Sequence, residues 1–171
     1  MEYNIVPQEY DQTLIGSIAS KMSMAGETKY INTESYPDTY MLKEDSGKTL
    51  RYETKTGVLK YTNPSAAYLT VSSKPNSPSD ANAVSIAKNL LIQTGLPANE
   101  IKETIVTYDT QGHGEKDTGK ILYEWTTTKT VYFERQINGV TLPDTIKVTI
   151  GENGDIASFT IPMKTLEPVN K

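Results

Sequence analysis

Hydrophobic spacing changes character several times along the chain. Between Pro7 and Gly26, Tyr10, Leu14, Ile18 and Met22 recur every fourth residue, and Ile15, Ala19 and Ala25 widen the stripe. That spacing predicts one face of an amphipathic helix, with Pro7 at the entry turn and Gly26 at a left-handed exit. From 28 to 70 the period shortens to two. Leu50, Tyr52 and Thr54 alternate with Arg51, Glu53 and Lys55, as in a half-buried strand. Ser46-Gly47 and Thr56-Gly57 supply tight turns, so three antiparallel strands are expected, with a further strand at 68–71.

The polar stretch SSKPNSPSD at 72–80 is the one linker-like segment, and it opens a second helix. Ser77 is the expected N-cap, Pro78 sits where a missing N–H costs nothing, and Asp80 answers the helix dipole. Val84, Ala87, Leu90 and Leu91 form its apolar stripe, and Thr94-Gly95-Leu96-Pro97 stops it. Five strand-like runs follow: EIKETIVTY, GKILYEWTTT, TVYFERQI, DTIKVTI and DIASFTI. Asn138-Gly139 and Asn153-Gly154 are hairpin signals, because both residue types tolerate positive φ. The chain therefore reads twice as a helix followed by an antiparallel meander. The expected fold is α+β, with subdomains at 1–73 and 74–171 packed as one compact unit.

The run VYFERQINGVTLPDTIKVTIGENGDIASF carries a resemblance. An aromatic strand ending in Arg135-Gln136 leads through Asn138-Gly139 to a strand and a final glycine-containing hairpin. Phe133, Val140, Ile146, Val148, Gly154 and Ile156 also match, and the helix DANAVSIAKNLLIQTGLP precedes them in the same order. In these features residues 78–161 resemble the PepSY and fungalysin/thermolysin-propeptide group. The resemblance implies a cystatin-like shape and a non-catalytic extracytoplasmic module that inhibits, chaperones or regulates a peptidase or an envelope signalling partner. It assigns no inhibitory contact to any side chain.

Composition narrows the function further. Seventeen basic against 21 acidic residues give a net charge of −4, which opposes a general nucleic-acid or anionic-membrane surface. Nothing in the sequence clusters the basic residues. There is no cysteine, hence no disulfide framework, thiolate nucleophile or sulfur zinc site. No run approaches the ~20 apolar residues of a membrane helix, so no direct membrane insertion is expected. Eleven Tyr against 2 Phe, with 36% hydrophobic residues, suit polar, twisted antiparallel sheets. The resemblance implies an extracytoplasmic location, secreted or surface-anchored, although the N-terminus itself has no signal-peptide pattern.

The candidate chemistry is sparse. His113 is the sole histidine, lying in the polar stretch YDTQGHGEKDTGK. A triad would need a nucleophile elbow, and no G-x-S-x-G is present; a solvated loop is the expectation. Asp109, Glu115 and Asp117 lack EF-hand spacing, and the glycines fit no phosphate loop. Glu124 and Glu134, on neighbouring predicted strands, are read as cross-strand charge partners rather than a glycosidase pair. No cofactor and no catalytic residue are expected. Tyr123 and Trp125 share a strand face with Thr127 beyond, and Tyr132 lies on a predicted neighbour. An exposed row of this kind binds a peptide, a glycan or a protein, whereas a lone Trp more commonly anchors a sheet against a helix. Arg135 is read as a cross-strand ion-pair partner or as a charge presented to a docking partner. The leading expectation is a binding or regulatory module with a protein partner in the cell envelope. The alternatives are a ligand-binding protein or enzyme using the aromatic face, and a purely structural envelope domain.

Overall fold

A computed structural model describes residues 2–67 and 73–169. The expected strand at 68–71 lies outside them. The chain is mixed α and β, with antiparallel sheet predominating. Strands β1 (Tyr3–Pro7) and β11 (Lys164–Pro168) pair as a two-stranded ribbon. A nine-stranded sheet follows the order β2 (Lys29–Ile31), β3 (Thr39–Lys43), β4 (Thr49–Glu53), β5 (Val58–Thr62), β10 (Ile156–Pro162), β9 (Ile146–Ile150), β7 (Ile121–Ile137) and β6 (Ile101–Gly114). The short β8 (Val140–Thr141) pairs with β7. The helices are α1 (Gln12–Lys21), α2 (Pro64–Ala67) and α3 (Asp80–Gln93).

Strand alternation sorts this sheet into two chemically distinct faces. Register aligns Leu50 with Tyr61, Tyr61 with Phe159, Phe159 with Val148 and Val148 with Val131. All five are buried, and they pack in one core with Ile15 and Ile18 of α1 and Leu90 and Leu91 of α3. The opposite face aligns Arg51 with Lys60, Lys60 with Thr160, Thr160 with Lys147 and Lys147 with Tyr132. Period-two patterning of the central strands thus gives one apolar face and one wet face, as antiparallel sheets allow.

Both long helices, α1 and α3, start later than expected. Pro7 closes β1 opposite Lys164, so α1 starts later, where the Asp11 carboxylate accepts from Leu14 N–H at 2.8 Å. At the exit Ser23, with φ 54°, takes the left-handed position, and Met24 N–H bonds Ala19 C=O. Gly26 lies beyond the helix. The buried stripe is Ile15, Ile18 and Ala19, while Leu14 is exposed. In α3 the cap is Ser79, accepting from Asn82 N–H at 3.2 Å. Ser77 instead donates its hydroxyl to Thr126 C=O at 2.8 Å. Ala83 joins Ala87, Leu90 and Leu91 in the buried stripe, with Val84 only half-buried. The expected stop holds: Gly95 has φ 102°, and Leu96 is buried.

The turn dipeptides sit where expected. Asn138 and Gly139 both have positive φ, at 50° and 81°, as a two-residue hairpin turn requires. Gly57 has φ 69°, and a Cβ there would lie 2.8 Å from Met163 O and 2.9 Å from Pro7 Cβ. This glycine lets the β4–β5 turn meet the ribbon, and Met163 N–H donates to its carbonyl.

The Tyr52 hydroxyl, buried beside Tyr10, donates to Gln8 C=O. Burial, with a smaller contribution from Tyr10, pushes its pKa from 10.0 up to about 12. The folded state therefore favours the neutral phenol. Its contribution is complete below pH 10 and disappears as pH rises toward about 12. Unfolding midpoints measured across this range should fall with pH, and Tyr52→Phe should flatten the decline while costing about 1 kcal/mol at neutral pH for the lost hydrogen bond. Gly57→Ala should cost at least ~1 kcal/mol, since it adds left-handed strain to the clash; denaturant titration measures both variants.

Candidate functional site on the polar sheet face

The chain's polar middle folds into a long arm. Strand β7 pairs with β9 only over Lys129–Phe133, so its stretch from Ile121 to Thr128 has β6 as its ladder partner. Residues 108–120 are exposed throughout. The stretch YDTQGHGEKDTGK, expected as a loop, is strand through Gly114 and turns only at 115–120. It escaped recognition because a two-stranded arm with both faces wet has no apolar period. Likewise GKILYEWTTT and TVYFERQI form one strand of 17 residues, since the β-branched threonines between them sustain extended backbone.

A bulge organises the arm's faces. Asp109 pairs with Thr128 but Thr110 with Thr126, leaving Thr127 as the extra residue. Alternation on β6 places Thr107, Asp109, Gln111 and His113 on one face; their partners are Thr130, Thr128, Trp125 and Tyr123. The bulge therefore brings odd-numbered Tyr123 and Trp125 onto the same face as even-numbered Tyr132. This is the wet face. Trp125 does not anchor the sheet against α3, because Lys129, Val131 and Phe133 point that way.

On the wet face the aromatic rings form a ladder. His113 and Tyr123 stack at 5.6 Å, Tyr123 and Trp125 at 4.0 Å. Tyr132, on the same strand rather than a neighbour, receives the Lys147 ammonium 5.7 Å from its ring centroid. Hydrogen bonds from Thr110 to Glu124 and from Thr128 to Asp109, each 2.8 Å, brace the two strands. At the base, Asp80 accepts from Lys129 at 2.7 Å and from the Tyr108 hydroxyl. Those two bonds, Lys129 first, hold the Asp80 carboxyl below the usual range. The arm is thereby fastened to the start of α3.

The other candidates separate. Glu124 and Glu134 lie on one strand ten positions apart, roughly 30 Å at a strand's rise, against the ~5–10 Å that glycosidase carboxylates need. Asp109 sits mid-arm, while Glu115 accepts from Thr118 at the tip. Among the described residues no three His, Cys, Asp or Glu side chains gather as a metal site. Arg135 faces the core side and is 4% exposed. Its guanidinium bonds Glu100 through two nitrogens at 2.8 Å and donates to Lys164 C=O at 2.5 Å. That clamp ties β7 to the ribbon and keeps the charge off the surface.

Sequence reasoning missed one feature. The strand order β5, β10, β9 gathers Lys55, Lys60, Lys147 and Lys164 around one pocket on the wet face. These positions are scattered in sequence, and only the pairing unites them.

No family model, curated protein or solved structure matches this chain. Among the described residues no helix is long and apolar enough to cross a membrane.

Trp125→Ala should remove a stacked pair worth about 1 kcal/mol and fray the arm locally. Hydrogen exchange across 109–128 should then accelerate about fivefold, with the core amides unchanged. Arg135→Ala should lower global stability by about 3 kcal/mol, because it strands the Glu100 carboxylate; chemical denaturation reads the loss.

Proposed function

We propose that this chain is a non-catalytic extracytoplasmic binding module that regulates a protein of the cell envelope, a peptidase or a signalling protein. Its contact surface is the wet face of the β6–β7 arm. The observation that carries this reading is the ladder of His113, Tyr123 and Trp125, held on a two-stranded arm that projects past its third strand. An isolated hairpin is marginal in water, so a partner that covers it gains both contact and order. Exposed Ile105, Tyr108, Ile121 and Leu122 lie on the same two strands.

The resemblance of residues 78–161 to the PepSY and propeptide group supports the same reading. So does the pairing of each helix with its own strands: α1 packs on β3 and β4, and α3 on β6, β7 and β9. On this view the segments 1–73 and 74–171 are successive helix-plus-meander units joined edge to edge. The clear titration shifts belong to groups whose bonds or burial hold the fold, such as Tyr52, Asp80 and Tyr108, and Asp38 and Tyr30.

Affinity capture from the native envelope fraction tests this. The wild-type chain should recover one stoichiometric protein, and the double variant Tyr123→Ala/Trp125→Ala should recover at least ~tenfold less, as loss of central aromatic anchors implies. Equal recovery by both, or none by the wild type, contradicts the reading.

A further inference from the structure

The lysine pocket of about 760 Å³ lies on the wet face, where the ribbon meets the sheet. Its floor is built from adjacent register positions. Val58 pairs with Pro162, Lys60 with Thr160, and Thr160 with Lys147. The ribbon adds Ile5 and Lys164 as one wall, and the Pro143–Thr145 segment adds another. Its volume falls within the ~300–1,000 Å³ of ordinary ligand clefts.

Four ammonium groups line this pocket against one carboxylate, Asp144. Three are already engaged: Lys164 with Asp144, Lys60 with Glu53 at 3.2 Å, and Lys55 with Asp38 at 2.7 Å. Lys147 has no carboxylate within 4 Å among the described residues and meets only the Tyr132 ring. Arg51, which shares Glu53 at 3.7 Å, adds a further cation beside them. Positive charge therefore exceeds its local compensation here, on a chain whose net charge is −4. A concave site with an excess of one sign concentrates the opposite sign.

We propose that this pocket receives an acidic segment of the protein partner, with a carboxylate seated between Lys60 and Lys147. The proposal rests on the reading of the chain as a protein-binding module and specifies what that partner presents. Apolar surface from Ile5, Pro143 and Pro162 interleaves with the ammonium groups. That mixture fits an acidic peptide, whose backbone and carbon chains pack between its charges, better than a bare anion. Lys147 also links the two surfaces, since it borders the pocket and lies over Tyr132 on the aromatic face.

The test uses a blocked, fluorescein-labelled hexaglutamate peptide and anisotropy on the whole chain. Binding should weaken about tenfold between roughly 20 and 200 mM salt, because screening shortens the reach of exposed charges. Lys60→Gln/Lys147→Gln should weaken it at least about tenfold, while Lys88→Gln/Lys102→Gln, equal in charge change but on α3 and β6, stays within about twofold. Lys147→Arg, which keeps the charge, should retain binding even if the glutamine pair proves poorly folded. Absence of wild-type binding, equal loss in both glutamine pairs, or equal displacement by inorganic phosphate at matched ionic strength overturns the proposal. Failure of the pocket and failure of the arm are separable, because hexaglutamate anisotropy reads the pocket while envelope capture by Tyr123→Ala/Trp125→Ala reads the arm.

Discussion

Strand β10 has two ladders to satisfy, one along β5 and one along β9, and the rest of the molecule depends on both. Its inward side chains Ala157, Phe159 and Ile161 are buried. Through them the apolar face extends without a break from the strands under α1 to those under α3. With β10 in place, one sheet offers enough apolar area on a single side to cover two helices. Since hydrophobic stabilisation scales with area removed from water, this continuity lets a chain with only 36% hydrophobic residues hold an interior. Arg135 and Tyr52 reinforce it at the rim, each fastening a segment outside the main sheet by a bond to a backbone carbonyl.

One-sided burial has a consequence for the other face. Threonines, lysines and tyrosines line it, half-exposed, and cross-strand pairs such as Thr130 with Thr149 at 2.8 Å keep it ordered. Where the sheet narrows to β6 and β7, no third strand among the described residues adds stiffness. The bulge at Thr127 then matters: it rotates the aromatic ladder onto the face that already carries Tyr132 and Lys147. Without the extra residue, Tyr123 and Trp125 would point with Lys129 and Val131 toward the helix side. A single inserted residue thus decides whether the aromatic side chains serve the core or solvent.

Much of the framework was legible from local chemistry. Gly57, Gly95 and the Asn138-Gly139 pair each need positive φ, a requirement written in residue type, and the strands they separate show clear alternation. The α3 stop was legible for the same reason. Helix starts were less so, since Asp11 and Ser79 compete with nearby Pro7 and Ser77, and tertiary pairing of Pro7 and Ser77 decided the outcome. Within the arm, β7 was legible as strand, while 109–114 of β6 were not, because that stretch has no apolar face. The bulge was hidden in a run of three threonines, where parity leaves no trace. The lysine pocket depended on strand order, which links residues more than a hundred positions apart. For the candidate site, Tyr123, Trp125 and the face they share were therefore readable, while the place of His113 in the ladder, the alignment of Tyr132 with it and the burial of Arg135 were not.

A photoreactive amino acid placed at Gln111, opposite Trp125 on the wet face, tests the central claim most directly. Irradiation in the native envelope should produce one discrete adduct with a single partner protein, and the same probe at Lys88 on the exposed side of α3 should produce none. A partner adduct from Lys88 with none from Gln111 would show that the helix side, and not the aromatic arm, is the surface this protein uses.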